Sequence, residues 1–260
     1  LGAKLHLQVH TDFMSSFFTQ ESFVNHVRVR IAKMLLPRAD AVRVVSERIK
    51  NSLVSVHIAH MRVLPIFTDT AHNAKISPHH DLKKKYPQFE KHILMTSRLS
   101  REKNVELALD VMKDIIVKHP KIGLIIVGSG PEEQSLKKYA AKNNLQHNVI
   151  FEGWQDELFS YYKTANLFVS TSNYEGYGMT IVEALSAGCP VVMTDVGCAG
   201  EVVHHGKNGL IVPVGDKGVL ERTVLHVVTG GVALVPSLPK LFTKEEYLTS
   251  YRASWEDALI

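Results

Sequence analysis

Arg98 and Lys103 stand five residues apart in the stretch TSRLSREKN, directly after the apolar run His92 to Thr96. Two cations in one loop ahead of a helix, whose free N–H groups also favour anions, suit a diphosphate. Asn104 is placed to cap that helix. The plain alternative is a pair of solvated surface charges, which is also how Arg101 and Lys113 read.

A second loop, VGSGP, follows another apolar run, and Gly128 and Gly130 allow a tight turn and the close approach of a ligand to backbone. GSGPEE resembles the dinucleotide fingerprint G-x-G-x-x-G, with Glu152 at the end of the next strand as a ribose-binding acid. Glu133 replaces the third glycine and brings bulk and negative charge to the pyrophosphate, which counts against a nicotinamide or flavin site. The most specific stretch is SNYEGYGMTIVEALSAG, Ser172 to Gly188. Gly176 and Gly178 surround a helix start, and Gly188 followed by Pro190 ends that helix. The backbone amides from Gly176 through Tyr177 and Gly178 to Met179 form an anion site at the positive end of the helix dipole. Glu175 lies just before the helix and Glu183 about two turns into it, so one carboxylate can meet a sugar and the other a ribose. Ordinary helix-start and helix-surface acids are the alternative.

His10 opens HTDF at the end of the first strand, either facing a cleft beside a reacting sugar or satisfied within the structure. No metal site is expected. The paired histidines His79-His80 and His204-His205 do not point to one centre, and Cys189 and Cys198 lack C-x-x-C spacing. There is no G-x-S-x-G elbow and no P-loop, so hydrolase and NTPase readings fall away.

These loops need strands behind them and helices after them. Strands are predicted at Lys4 to Val9, Ala41 to Val45 and Arg62 to Pro65, with helices at Gln20 to Leu36 and Glu47 to Ser55. A polar, punctuated linker with one short helix follows over 69–90, containing Asp69, Asn73, Ser77, Pro78 and Pro87. Six further strands are predicted from His92 to Val212, at His92, Gly123, Val149, Leu167, Val191 and Gly209, with helices between most of them. That alternation makes a doubly wound α/β domain over 91–235. A polar helix closes the chain from about Thr243. The first 68 residues supply only three strands, half of such a domain, with unpaired edges.

The chain has 260 residues, 45% apolar and 22% charged, a globular balance with no apolar run of membrane-spanning length. Its net charge is +4, and the excess is all at the front. Residues 1–75 carry ten Lys or Arg against five Asp or Glu, whereas the remaining 185 carry 20 against 21. Such a bias attracts phosphates, nucleic acid or anionic membrane alike. The helix at 20–38 has Phe23, Val27, Ile31, Met34 and Leu35 at helical spacing with Arg28, Arg30, Lys33 and Arg38 beside them. This pattern is either a core-facing stripe or a surface that rests on anionic lipid. Two unpaired cysteines fit a reducing cytoplasm.

In this order and spacing, RLSREKN, VGSGP, FEGW and EGYGMTIVEALSAGCPVV resemble the retaining glycosyltransferases of family four, which have the GT-B architecture. The likeness is densest from His92 to Val214, and the Glu175 and Glu183 pair matches the family's most specific motif. It implies two Rossmann-like domains, the N-terminal one binding acceptor and the C-terminal one a nucleotide-sugar. Arg98 and Lys103 would then hold the diphosphate, Glu175 the donor sugar, Glu183 the ribose, and His10 would lie near sugar and acceptor. The family also implies no metal or other cofactor, a glycan or lipid-linked acceptor rather than nucleic acid, and a C-terminal helix at 243–260 that crosses back onto the N-terminal domain. Cytoplasmic location follows, with peripheral contact to the inner membrane face through the helix at 20–38. Family members begin with a glycine-rich loop and about three βα units absent from this sequence, so the resemblance implies a chain truncated at its N-terminus. An epimerase or phosphorylase of the same fold, or a module that only binds nucleotide-sugar, stays open.

Overall fold

Buried aliphatic runs set the strands. Ile93, Leu94 and Met95 are all buried, as are Leu124, Ile125 and Ile126, the two-sided burial of a central parallel sheet. In the computed structural model, which describes residues 3–70 and 79–259, these runs form two parallel sheets. The smaller contains β1 (His6–Val9), β2 (Ala41–Val44) and β3 (Met61–Val63) in that order. The larger contains β4 (Lys91–Thr96), β5 (Ile122–Val127), β6 (Val149–Gly153), β7 (Leu167–Ser170), β8 (Val191–Thr194) and β9 (Gly209–Val212), ordered β6-β5-β4-β7-β8-β9. The chain therefore winds one way from β4 and back the other way from β7. The loops after these two neighbouring strands flank a topological switch point, where open α/β sheets bind ligands. Asn73, Ser77 and Pro78 of the expected linker lie outside the described residues.

Among the described residues the α-helices are α1 (Ser16–Glu21), α2 (Phe23–Leu35), α3 (Glu47–Ser52), α4 (Leu82–Lys85), α5 (Val105–Lys118), α6 (Glu133–Lys142), α7 (Phe159–Thr164), α8 (Met179–Ser186), α9 (Lys217–Val228) and α10 (Lys244–Glu256). One face of the six-stranded sheet is covered by α5, α6 and α9, with Leu109, Leu136 and Leu220 in its core. The other face belongs to a cluster that runs on into the three-stranded sheet, joining Val44, Ile49 and Leu53 to Ile181, Val196 and Cys198. The two halves thus share one apolar core. On the far side α10 lies against the small sheet, with the His6 and Trp255 rings stacked 4.3 Å apart. Arg62 forks onto Asp257 at 2.9 and 3.0 Å at the end of the same helix.

Three expectations change. The single helix at 20–36 is two, because Ser22 is extended and turns its hydroxyl to the Asn25 amide, capping α2 afresh. That helix ends at Leu35, and Leu36–Arg38 tightens into a 3-10 turn around Pro37. Asn104 sits at the cap position of α5 but in the left-handed region, φ 46°, with no side-chain cap. It donates instead to Asn173 Oδ1 at 3.1 Å. The helix α9 was not foreseen; Leu220, Val224 and Val228 bury one of its faces.

Candidate active site

Two loops are stitched together over the switch point. Thr171, just past β7, donates its hydroxyl to the Lys103 and Asn104 carbonyls at 2.9 Å each. The Asn173 amide donates to the Glu102 carbonyl at 2.7 Å. Behind them lies the VGSGP turn, whose glycines are needed for close approach to protein backbone. A methyl at Gly128, φ +130°, would sit 2.0 Å from the Ser97 carbonyl, and one at Gly130 would sit 2.3 Å from the Leu99 carbonyl. The Leu99 amide closes the contact by donating to the Ser129 carbonyl at 2.9 Å. Gly128 and Gly130 therefore shape the Arg98 loop from behind and do not line the cleft.

A cleft of about 950 Å³ opens in front, a size suited to a small-molecule ligand. His10, Arg98, Lys103, Glu175, Gly176 and Thr180 line it, so residues from both halves of the molecule converge there. Lys103 Nζ donates to Glu175 Oε1 at 2.5 Å, and Ser172 Oγ donates to the same oxygen at 2.8 Å. Arg98 is held by Glu102 at 2.7 Å, and that pairing raises the guanidinium pKa further. Burial pushes the Glu102 carboxyl up, but bonds from Ser100 and Arg98 outweigh it and hold the group below its ordinary value. The Arg98 side chain remains 70% exposed, open to a ligand in the cleft. His10 is exposed at the cleft edge, 3.2 Å from Gln8 Oε1. Partial burial, then the charge of Arg43, lowers its pKa.

The EGYG turn meets the N-terminal half directly, since a methyl on Gly176 would lie 1.9 Å from the His10 carbonyl. Gly178 takes φ +96° at the N-cap of α8, where a methyl would also strike Ile181 at 2.8 Å. The Ile181 and Val182 amides turn back to the Gly178 carbonyl. Tyr177 points into the shared core, and its carbonyl accepts from the Cys198 amide at 2.8 Å. Met179 packs against that core and its sulfur accepts from Thr68 Oγ1 at 3.6 Å. Glu183 does not line the cleft. It accepts from Tyr162 at 3.0 Å, and the Tyr162 hydroxyl lies 2.7 Å from Thr96, which does line it. Glu152, the ribose-binding acid of the dinucleotide alternative, is engaged by Lys85 at 2.7 Å and by the Tyr86 hydroxyl.

Sequence reasoning missed the wall opposite. Tyr174 donates to Glu21 at 2.8 Å across the cleft and meets Phe18 edge-on, with ring centroids 5.5 Å apart. Burial, then Glu21, raises the Tyr174 hydroxyl pKa. Asn25 and Arg28, one helical turn apart on α2, complete this wall, with Arg28 donating to Asn25 Oδ1 at 3.0 Å. Their i, i+3 spacing on one face was the available signal. Among the described residues, no group of three or more His, Cys, Asp or Glu side chains is arranged to hold a metal.

Comparisons with known proteins place this geometry. The lipopolysaccharide core biosynthesis mannosyltransferase LpsB of Rhizobium meliloti is 32% identical over 198 residues, 71% of this chain and 54% of that protein. The chain thus spans about half the length of that curated relative. An alpha-monoglucosyldiacylglycerol synthase of Streptococcus pneumoniae is 38% identical over 105 residues, 40% of this chain and 24% of that protein. The crystal structure of Anabaena HepE with UDP and glucose shares the fold at TM-score 0.77 and 24% identity, over 97% of this chain and 70% of that one. S. aureus TarM does so at TM-score 0.72 and 20% identity, over 99% and 47%. The model of the glycosyl transferases group 1 matches residues 79–235, which contain both stitched loops and the whole six-stranded sheet. That match covers more than half of the sequence, and the chain belongs to the glycosyl transferases group 1 family.

Proposed function

We propose that this chain provides the donor site of an enzyme that moves a sugar from a nucleotide-diphosphate-sugar to an acceptor hydroxyl, with retention at the anomeric carbon and without a metal. The supporting observation is the convergence of Arg98, Lys103, Glu175 and His10 on one cleft at the switch point. In this reading Arg98 and Lys103 take up the negative charge that grows on the departing diphosphate, assisted by the amides at the start of α8. Two fixed cations then serve where a divalent ion otherwise would. Glu175, oriented by Lys103 and Ser172, accepts from a donor-sugar hydroxyl. Glu183, which does not line the cleft, bears on the ribose only indirectly, through Tyr162 and the Thr96 hydroxyl at the cleft wall. The acceptor enters between His10 and the wall of Glu21, Asn25 and Arg28.

The acceptor is a glycan or a lipid-linked sugar, and the lipid alternative has its own support. Phe23, Val27, Ile31 and Met34 of α2 are all exposed, so the apolar stripe is not core-facing, and Arg28, Arg30 and Lys33 flank it. Such a surface suits anionic lipid. Vesicle binding that ignores both lipid charge and salt would remove that part of the proposal. Among the described residues, no helix is long and apolar enough to cross a membrane.

The test of the whole reading is a thermal-shift screen against UDP-, GDP- and ADP-sugars, followed by transfer assays with NMR assignment of the product anomer. Lys103→Ala should lower turnover at saturating donor by about a hundred- to a thousandfold, the usual cost of one oriented charge donor. Unchanged turnover in that variant, or an inverted product, would refute the corresponding role.

A further inference from the structure

Arg48 stands in the first turn of α3, in the N-terminal half, but its partners lie in the loop after β8. Its amide donates to Glu201 Oε1 at 3.2 Å, its Nε to the Gly197 carbonyl at 3.4 Å, and its Nη2 to Asp195 Oδ1. That loop is the bed on which the Glu175 turn rests. A methyl at Gly197, φ +53°, would lie 2.9 Å from Glu175 Cβ and 2.5 Å from the Tyr177 carbonyl. The Cys198 amide fastens the same carbonyl at 2.8 Å. A third acid, Asp12 of the loop after β1, also feels the charge of Arg48; burial raises its carboxyl pKa and Arg48 opposes the rise. A cation from the half that carries His10 therefore holds, through one loop, the turn that carries Glu175.

The side chains of Arg48 and Asp195 are 32% and 57% exposed, so this pair adds little to global stability. Its effect lies in the registration of the two halves. We infer that Arg48 is a positioning residue, clamping the 195–201 loop so that Glu175 is fixed relative to His10, and thereby setting turnover and not donor affinity. The turnover half of this inference rests on the transferase reading above; the clamp does not.

Arg48→Ala and Arg48→Lys in the full chain separate the two. Hydrogen exchange should quicken in Arg48→Ala at both 175–179 and 195–201, with the urea midpoint nearly unchanged. Unaltered exchange at these segments overturns the clamp whatever the activity. In transfer assays Arg48→Ala should lower kcat about ten- to a hundredfold while donor KM moves less than about threefold, the pattern of a misplaced group in an intact binding site. Arg48→Lys should recover part of the loss, because it keeps the charge opposite Asp195 without the planar fork. An unchanged kcat, or a donor affinity that falls in step with it, overturns the positioning role. A wild-type chain that transfers no sugar removes the transferase reading, while the exchange result still decides the clamp.

Discussion

Lys103 and Glu175 are 21% and 15% exposed, close enough to solvent to exchange partners and dry enough for their charges to matter. Ser172 holds Glu175 from a second direction, so the carboxylate keeps its place when Lys103 turns to an anion. Glu183 is a different kind of acid. Burial raises its carboxyl above the ordinary 4.5, and the bond from Tyr162 offsets this only in part. The folded chain therefore holds that proton more firmly than the unfolded chain does, and ionisation weakens the fold. The penalty is absent well below pH 4.5, grows as pH rises past 4.5, and is complete above the raised value. Glu183→Gln keeps an acceptor for Tyr162 but cannot ionise. Urea melts should show wild type losing stability relative to Glu183→Gln as pH rises from 4.5 to neutrality. A flat difference across that range would mean the carboxyl titrates alike in both states.

At the scale of elements, the turn after β5 does its work through backbone contact with the turn after β4. Gly128 is the pivot, since a side chain there meets the Ser97 carbonyl at 2.0 Å in a backbone conformation that side-chain-bearing residues rarely adopt. Gly128→Ala should cost about 1–3 kcal/mol and displace Arg98, and under the proposed donor role of Arg98 it should weaken nucleotide-sugar binding more than a surface change would. Calorimetric titration with whichever nucleotide-sugar the thermal-shift screen selects, alongside urea melts, checks both halves; full affinity in a destabilised variant would confine the glycine to folding. Strands such as Ile122–Val127 were legible because every residue of the run but Gly123 is aliphatic, a signal that needs no tertiary knowledge. Helix α9 was not legible: Gly218 sits in its first turn and Val219, Thr223, Val224, Val227 and Val228 lower its local propensity, so burial of one face has to make it a helix. The break at Ser22 was equally hidden, because a serine inside a helical pattern reveals its capping role only when the backbone turns. Of the cleft, Arg98, Lys103, Glu175 and His10 were found because each follows a strand. Tyr174 against Glu21, and Arg48 against Asp195, join positions about 150 residues apart and have no signature in either local stretch.

At the scale of the whole molecule, the chain's last helix returns to its first sheet, and Arg43 of β2 is the centre of that seam. The residue is only 3% exposed. It donates to Gln8 Oε1 at 2.9 Å, to the Leu64 and Pro65 carbonyls at 3.1 and 3.0 Å, and to the Tyr247 hydroxyl at 2.9 Å. Its guanidinium also lies over the Tyr247 and Tyr251 rings of α10, at 5.8 and 5.3 Å from their centroids. One buried cation thus ties β1, the end of β3 and α10 together, and a neutral replacement leaves one buried and three half-buried acceptors without their donor. Arg43→Met should cost about 2–4 kcal/mol, the penalty for leaving buried acceptors unpaired. Hydrogen exchange should quicken along 244–256 before the six-stranded sheet is affected. Arg62→Ala, which breaks a partly exposed pair with Asp257 at the same seam, should cost less than about 1 kcal/mol. If the two variants lose equal stability, or if α10 exchanges no faster in Arg43→Met, the seam is held by the apolar contact and ring stacking of Trp255 and not by Arg43. That outcome would also loosen the link from the small sheet to the cleft, because Gln8, the acceptor shared by Arg43 and His10, would no longer need Arg43 to keep its orientation.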